Sequence, residues 1–295
     1  MNDQMAYLLG LICGNGEIQR STFHTTFSID IPHKKLKTET ENDVKVYVKA
    51  SITDIRTVLE PLLGTGLTFT QGDNHSFLSF TKNNDEYITQ EILRFIGQAT
   101  SHENIRLSSE IYEFKDMEKL QFLRGFSDVT GYIRRSNYFI TLYAHRVYLE
   151  VPRNWYLVID VCNILKSINI PVQTIDWGHP NMRDGNLKKY NQGMPDFWKK
   201  EHQIKIYANE FMPIGFGILH KKQALDAFNK ELIEGFQRDG KEPGKVTHRF
   251  YWECRNSGRI HLNHPGEGDS FIPEVIRGKH FDSWREIARD LGYGE

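Results

Sequence analysis

The sequence has few cysteines and no long apolar segment, and each shortage excludes a class of protein. Its 295 residues include only Cys13, Cys162 and Cys254, which are too few and too scattered for a disulfide framework. No apolar run approaches the ~20 residues that span a bilayer, and the amino terminus lacks a basic segment followed by an apolar stretch. We therefore expect a cytoplasmic protein that does not bind membranes.

Several familiar signatures of chemistry are also missing. The chain has no glycine-rich phosphate loop, dinucleotide fingerprint or serine nucleophile elbow. His248, Cys254, His261 and His264 suggest zinc, but the Cys-x6-His-x2-His spacing of the last three matches none of the common structural zinc sites. Surface or packing positions are the better interpretation. Within 243–260, basic residues lie on both sides of the aromatic run Phe250-Tyr251-Trp252, which makes an additional phosphate contact a second hypothesis for this region.

Charge is distributed unevenly along the chain, although the formal net charge is only -1. Residues 1–118 carry 11 Lys/Arg and 17 Asp/Glu, a net of -6. Residues 119–262 carry 22 and 14, a net of +8, and residues 263–295 carry 4 and 7, a net of -3. The concentration of positive charge in the second part is compatible with a polyanionic partner and also with an ordinary solvated surface.

The most informative feature is an internal duplication of a nine-residue pattern. Residues 8–16 read LLGLICGNG and residues 123–131 read LRGFSDVTG, each at the end of an apolar pattern with helical spacing. Gly10 and Gly125, 115 residues apart, interrupt these helices. Glycine costs about 1 kcal/mol relative to alanine inside a helix, so we expect it to permit close approach of two helix backbones.

The same order of secondary structure follows each of these helices. In the first half, period-two alternation predicts strands, and helical spacing with turn residues predicts the remaining elements. These first-half predictions are strands at 17–30 and 43–51, a helix at 52–63, a hairpin turn at 72–74 and a helix at 84–97. The second half gives strands near 131–143 and 146–152, a helix at 154–168, strands near 171–176 and 202–208, and a helix near 219–237.

Each half therefore has the order α-β-β-α-β-β-α, and the expected fold class is α+β. We divide the chain into a first repeat (1–97), a linker (98–117), a second repeat (118–237) and a C-terminal extension (238–295). Residues 178–200 form an insertion in the second repeat, because they are rich in Gly, Pro, Asn and Lys.

The two nine-residue patterns and their repeated surroundings, over about residues 5–237, resemble the LAGLIDADG family of homing endonucleases. That resemblance implies two pseudo-symmetric αββαββα repeats in a monomer, with the motif helices paired at a pseudo-twofold interface. It further implies saddle-shaped antiparallel sheets in the major grooves of a long, asymmetric double-stranded DNA site, and metal ions at the helix ends against the scissile phosphates.

The polar sides of the predicted strands supply candidate DNA-binding residues, because a two-stranded ribbon fits the major groove. The alternative is that these residues are only the solvated face of an ordinary sheet. The candidates are Arg20, Thr22, His24, Thr26, Ser28, Lys45, Tyr47, Lys49, Arg134, Ser136, Arg146 and Tyr148.

The resemblance also identifies a catalytic position and shows that it is altered. Active relatives have Asp or Glu at the eighth motif position, where this chain has Asn15 and Thr130. The resemblance implies a metal site at Gly14, Asn15, Val129 and Thr130, and neither an amide nor a hydroxyl contributes a negative charge there. Mg²⁺, or Mn²⁺ or Ca²⁺, should therefore bind weakly. Lys82 matches the approximate location of a basic residue near the scissile phosphates, and otherwise is a surface lysine.

Three interpretations of these substitutions remain open. Asn15 replaces an aspartate in an inactivated endonuclease, or the chain is a degenerate relative that binds DNA without cutting, or Glu17 or Asp128 takes over the acid's role. The last is disfavoured because residues two apart on a helix point about 200° from each other. The leading hypothesis is a site-specific double-stranded DNA endonuclease that is inactivated or attenuated. A non-cleaving DNA-binding regulator and an RNA-binding splicing cofactor are the alternatives.

Overall fold

The computed structural model describes residues 1–38, 44–134, 145–152, 154–170, 172, 174–176, 201–238 and 260–261. The first half contains α1 (Asp3–Asn15), β1 (Gly16–Arg20), β2 (His24–Pro32), α2 (His33–Leu36), α3 (Val44–Leu63), β3 (Thr68–Gln71), β4 (His75–Asn83) and α4 (Tyr87–Ile96). The second half contains α5 (Asp116–Thr130), β5 (Gly131–Arg134), β6 (Arg146–Pro152), α6 (Trp155–Ser167), β7 (Thr174–Asp176), β8 (Glu201–Tyr207), α7 (Ala208–Phe211), α8 (Leu219–Arg238) and β9 (Ile260–His261).

The two halves form antiparallel sheets with equivalent topology. The first sheet has the order β1-β2-β4-β3, and the second has β5-β6-β8-β7-β9. The register is equivalent as well, since Gly16 pairs with Ile29 in the first sheet and Gly131 pairs with Leu149 in the second. The predicted α+β fold with a duplicated order of elements is confirmed. The described residues add the short helices α2 and α7 to this order, and β9 brings part of the C-terminal extension to the free edge of β7.

Each sheet has an apolar inner face and a polar outer face, as the period-two pattern predicts. Phe27, Ile29 and Leu78 of the first sheet are buried, and so are Leu149 and Ile204 of the second. All five belong to a single apolar core that includes residues of both halves. The described part of the chain has no helix long and apolar enough to cross a membrane.

Helices α1 and α5 cross at the centre of this core, and glycines make their close approach possible. A Cβ atom added to Gly10 would lie 2.0 Å from the carbonyl oxygen of Phe122, and one added to Gly125 would lie 2.1 Å from that of Tyr7. Real Cβ atoms do not approach backbone atoms so closely. The prediction that these two glycines lie at a helix-helix crossing between the halves is confirmed.

The prediction of a strand at 43–51 is wrong, because these residues begin the 20-residue helix α3. Val44, Val46 and Val48 alternate with polar residues, and this β-branched run suggested a strand. The spacing that decides the structure is Val48, Ile52, Ile55 and Leu59, which places one buried apolar stripe along a helix. Val46, on the opposite side of the helix, is 62% exposed.

The second strand of the first sheet comes instead from the segment predicted as one strand, 17–30. This segment turns at Ser21–Phe23, and its two arms pair as β1 and β2. Asn84 fixes the turn, since its side-chain amide donates to the carbonyl oxygens of Ser21 and Thr22. The helices predicted at 84–97, 154–168 and 219–237 and the strands predicted at 146–152 and 202–208 are found within a few residues of the expected bounds, and the helix predicted at 52–63 begins earlier, at Val44. Of the strands predicted near 131–143 and 171–176, the structure shows Gly131–Arg134 and Thr174–Asp176, and residues 135–143 lie outside the described residues. Residues 178–200 and most of 238–295 lie outside the described residues.

The predicted linker, 98–117, packs against both halves. Ile105 and Ile111 are buried in the shared core. The backbone N–H of Ile18 donates to the carbonyl oxygen of Thr100 at 2.7 Å, which joins the linker to β1. On the other side, the Asn154 side chain donates to the carbonyl oxygen of Ile105 at 2.7 Å.

Candidate nucleic-acid interface

The structure brings Asn15 and Thr130, the two eighth-position residues, to the adjoining ends of α1 and α5. Asn15 is 8% exposed and Thr130 is 1% exposed. The Asn15 side-chain amide donates to the carbonyl oxygen of Val129 at 3.3 Å, across the helix interface. The Thr130 hydroxyl donates to the carbonyl oxygen of Phe126, one turn back in its own helix, at 2.7 Å. Both polar side chains are therefore already used in hydrogen bonds within the protein.

These residues do not fit a divalent cation as they stand. Gly14, Asn15, Val129 and Thr130 offer oxygen atoms but no negative charge, and the Val129 carbonyl accepts the Asn15 amide. Within the described part of the chain, no group of three or more His, Cys, Asp or Glu side chains could hold a metal ion. Mg²⁺ gives up its water reluctantly and is usually held through one or two carboxylates together with substrate phosphates. The paired helix ends therefore lack the charge that metal-dependent hydrolysis needs.

Asp128 is excluded as a substitute acid by its own contacts. It is fully buried, and its carboxylate accepts hydrogen bonds from the Tyr7 hydroxyl at 2.6 Å and from the backbone N–H groups of Gly217 and Ile218. Burial raises the pKa of the Asp128 carboxyl, while Lys221 and the hydrogen bonds oppose that rise. Asp128 ties α5 to α1 and to the segment preceding α8.

Lys221 completes this buried group. Its ammonium donates to the carbonyl oxygens of Ser127, Asp128 and Gly131 at 2.7–3.1 Å and so satisfies the carboxyl end of α5. Burial lowers the pKa of Lys221 to about 8, and the Asp128 carboxylate limits that decrease. The sequence provided no signal for Lys221, because a single lysine in an amphipathic helix is normally solvated.

Three of the predicted contact residues lie on the outer face of the first sheet. His24 is exposed, and Thr26 and Ser28 are half-buried on the same side of β2. Thr26 shares a hydroxyl–hydroxyl hydrogen bond of 2.8 Å with Thr81, and Ser28 shares one of 2.9 Å with Ser79. Glu17, the remaining substitute-acid candidate, is exposed on this face, opposite Ser28 and on the strand that follows the α1 end. Thr22 is exposed at the hairpin turn.

Arg20 and Lys82 lie on the opposite side of this sheet from Thr26. Both pair in register with the buried Thr25. The Arg20 guanidinium donates to the carbonyl oxygens of Gly97 and Ala99, so its role in the structure is to fix the end of α4.

Lys82 forms an ion pair of 3.3 Å with Glu86. Gly16, at the start of β1, is aligned with Leu78 of β4 through Ile29 of β2. Lys82 is four residues beyond Leu78, a distance of roughly 13 Å along the strand. The structure therefore does not bring Lys82 to the paired helix ends, and the predicted catalytic position is not supported.

Lys45, Tyr47 and Lys49 were predicted on the polar face of a strand and instead belong to α3. The Tyr47 ring packs against the His220 ring, with centroids 4.9 Å apart, and Lys49 is exposed on the helix. These three residues are not part of either sheet face. Because they are not on the sheet, no strand from β1 to β4 carries a lysine or arginine on the outer face of the first sheet.

The outer face of the second sheet combines aromatic rings with cations. Tyr132 and Tyr148 stack with centroids 5.2 Å apart and planes 3° from parallel. The exposed Arg134 guanidinium lies 5.1 Å from the Tyr132 centroid, and Lys205 lies 5.3 Å from that of Tyr148. Arg146, which is buried, lies 5.6 Å from the Tyr207 centroid. Cation–π contacts of this kind fix both partners. Ser136 lies outside the described residues.

No protein-family profile and no curated protein matches the chain. Among solved structures, it is similar to the homing endonuclease I-DmoI in complex with DNA and Mn, at 15% identity, 70% of this chain, 91% of that chain and a TM-score of 0.37. It is also similar to the homing endonuclease I-WcaI bound to its DNA recognition sequence, at 13% identity, 75% and 85% coverage and a TM-score of 0.42.

Full-length DUF199/WhiA from Thermotoga maritima is similar at 12% identity, 86% of this chain, 66% of that chain and a TM-score of 0.40. Similarities at this level carry no argument about activity, which has to be drawn from the residues themselves.

Proposed function

We propose that this protein binds double-stranded DNA in a site-specific manner on a LAGLIDADG-type scaffold, as a monomer, and that it does not cleave DNA in its present form. The outer faces of the two equivalent sheets are the proposed DNA-binding surface. Twisted antiparallel ribbons fit the major groove, where each base pair presents a distinct set of donors and acceptors. The sequence-predicted residues on these faces are His24, Thr26 and Ser28 in the first sheet and Arg134, Arg146 and Tyr148 in the second, of which Arg146 is buried.

The observation that carries the absence of cleavage is the hydrogen bonding at the paired helix ends. The amide of Asn15 donates to Val129, and the hydroxyl of Thr130 donates to Phe126. Neither group can supply the charge needed to hold Mg²⁺ beside a phosphate. DNA binding needs no metal, so the loss affects hydrolysis selectively.

The second candidate is a site-specific endonuclease in which Asn15 replaces a catalytic aspartate. The geometry of Asn15 favours this candidate over one in which Glu17 or Asp128 takes over the role of the acid. Asparagine and aspartate differ only in the exchange of an amide for a carboxylate. The Asn15 side chain already faces Val129 across the helix interface. A carboxylate there would face the Val129 carbonyl oxygen with no hydrogen to donate. It would therefore be destabilised unless a cation lay between the two oxygens.

The test begins with selection from a randomised duplex library, followed by binding measurements on the enriched site. We expect the unaltered protein to bind this duplex and to leave it intact with Mg²⁺ or Mn²⁺. Competition with structured RNA tests the RNA-binding alternative. Absence of duplex selectivity would refute the proposed function, and cleavage by the unaltered protein would refute the non-cleaving assignment.

The variant Asn15→Asp separates the two candidates. If the chain is an inactivated endonuclease, this variant should melt at a lower temperature than the parent without metal, recover with Mg²⁺ and nick the enriched duplex. Thr130→Ala added to Asn15→Asp is the matched control, because Thr130 supplies no charge and its removal should cost much less activity. Absence of metal-dependent stabilisation and nicking would leave the non-cleaving DNA-binding protein as the function.

A further inference from the structure

The common register of the two sheets allows their outer faces to be compared position by position. Gly16 and Gly131 each follow a motif helix, and the strands then pair in the same order. Six outer-face positions beyond these glycines are therefore equivalent. In the first sheet they are Glu17, Gln19, Thr26, Ser28, Ser79 and Thr81. In the second sheet they are Tyr132, Arg134, Arg146, Tyr148, Lys205 and Tyr207.

The first set contains only small or neutral polar side chains and one acid. Its central members are the two hydroxyl pairs, Thr26 with Thr81 and Ser28 with Ser79. Each hydroxyl has a further lone pair or proton that it can turn toward a base edge. A face of this kind can form hydrogen bonds with bases but cannot neutralise phosphates.

The second set consists only of tyrosines and cations. Arg134 is exposed, whereas Arg146 and Lys205 are buried beside Tyr207 and Tyr148. Arg134, the exposed cation of this set, can contact a phosphate directly. Among the described residues, Glu150 and Asp176 lie on this face in the next row, each in register with Gln203, and Glu150 is paired with Lys35.

The charge of the whole chain varies in the same direction. Residues 1–118 have a net charge of -6 and residues 119–262 a net charge of +8. The greater positive charge of the second segment is compatible with a larger share of the contacts to a polyanion.

We infer that the two sheets divide the recognition of duplex DNA, the first distinguishing bases through neutral hydrogen bonds and the second supplying the phosphate contacts that hold the duplex. This inference rests on the proposed function. The dependence of binding on salt reports phosphate neutralisation, because each neutralised phosphate releases counterions, whereas mismatch penalties report base contacts. The two roles can therefore be measured separately.

The experiment uses the full chain and the duplex enriched from the randomised library. The first variant is Ser28→Ala with Ser79→Ala, and its matched control is Thr53→Ala with Thr57→Ala, two exposed hydroxyls on α3. The second variant is Arg134→Gln, and its matched control is Arg56→Gln, also exposed on α3. Affinity is measured over a range of salt concentrations and against duplexes with single base-pair changes.

For the serine variant, we expect mismatch penalties in one half of the site to fall about fivefold or more, with no change in the salt dependence. For Arg134→Gln, the slope of log affinity against log salt should decrease by about 0.9, with mismatch penalties in that same half unchanged. Both controls should behave as the parent protein. Equal effects of the two variants on salt dependence, or on mismatch penalties, would refute the division of roles while leaving DNA binding intact. Failure of the parent protein to bind any duplex would refute the proposed function as well.

Discussion

Replacing Gly10 by alanine tests the helix crossing that organises the whole fold. Elsewhere in a helix this change would be favourable by about 1 kcal/mol. Here the added Cβ would lie 2.0 Å from the carbonyl oxygen of Phe122 and 2.8 Å from the backbone nitrogen of Phe126. Both obstacles are backbone atoms, so no side chain can move aside to relieve the contact.

The size of the effect follows from the displacement that is needed. An ordinary contact begins near 3.4 Å, so α1 and α5 would have to separate locally by 3.4 minus 2.0, or about 1.4 Å. A gap of even ~1 Å forfeits up to about half of the dispersion energy of each affected contact. Overpacking therefore costs about 3 kcal/mol or more, and the net loss after the gain in helix propensity is at least about 2 kcal/mol.

Urea unfolding and thermal melting measure this loss directly, and at least about 4 °C of melting temperature should be lost. Gly66→Ala is the matched control, because its Cβ would meet no atom within 4 Å. That variant should be neutral or slightly more stable, since alanine restricts the unfolded chain. If Gly10→Ala and Gly125→Ala were both as stable as the parent protein, the close backbone contact between α1 and α5 would be refuted.

Two further predictions concern buried ionisable groups. Asp128→Ala should lower the free energy of unfolding by about 3–5 kcal/mol, because Lys221 loses the buried carboxylate beside it. Asp128→Asn should cost less, because its amide oxygen still accepts a hydrogen bond from the backbone N–H of Gly217. Equal stability of Asp128→Ala and the parent protein in urea would contradict this prediction. Burial lowers the pKa of His202 from 6.5 to about 3, so below pH 6.5 the unfolded chain binds a proton that the native protein does not. Stability should therefore fall on acidification between pH 6.5 and 3, by up to about 1.4 kcal/mol per pH unit, and His202→Gln should lack this component. The same pH dependence in the parent and in His202→Gln would exclude His202 as its source.

The parts of the fold that were predictable from sequence depend on local spacing. Gly10 and Gly125 interrupt helices that otherwise need no glycine, and this signal survives in a single sequence. The period-two pattern around Thr26 and Ser28 likewise identified the outer face of β2. In each case the pattern of neighbouring residues alone determines which side of the element is buried.

The errors arose where a distant contact decides the structure. Residues 44–48 alternate like a strand, but the buried stripe from Val48 to Leu59 packs only if the segment is helical. Arg20 was assigned to the wrong face because its side depends on where the chain turns, and a shift of one residue reverses the side of a strand. The ammonium of Lys221 is buried because it meets carbonyl groups of α5 that are about 90 residues distant in sequence.

The packing of the connecting segment also bears on how the molecule unfolds. Residues 98–117 bury Ile105 and Ile111, bond to β1 on one side and accept Asn154 on the other. Such a segment cannot be lengthened or removed as a flexible tether could, because its apolar side chains would lose their burial. The two repeats should consequently melt in one cooperative transition, and neither should retain its structure when produced as a separate fragment.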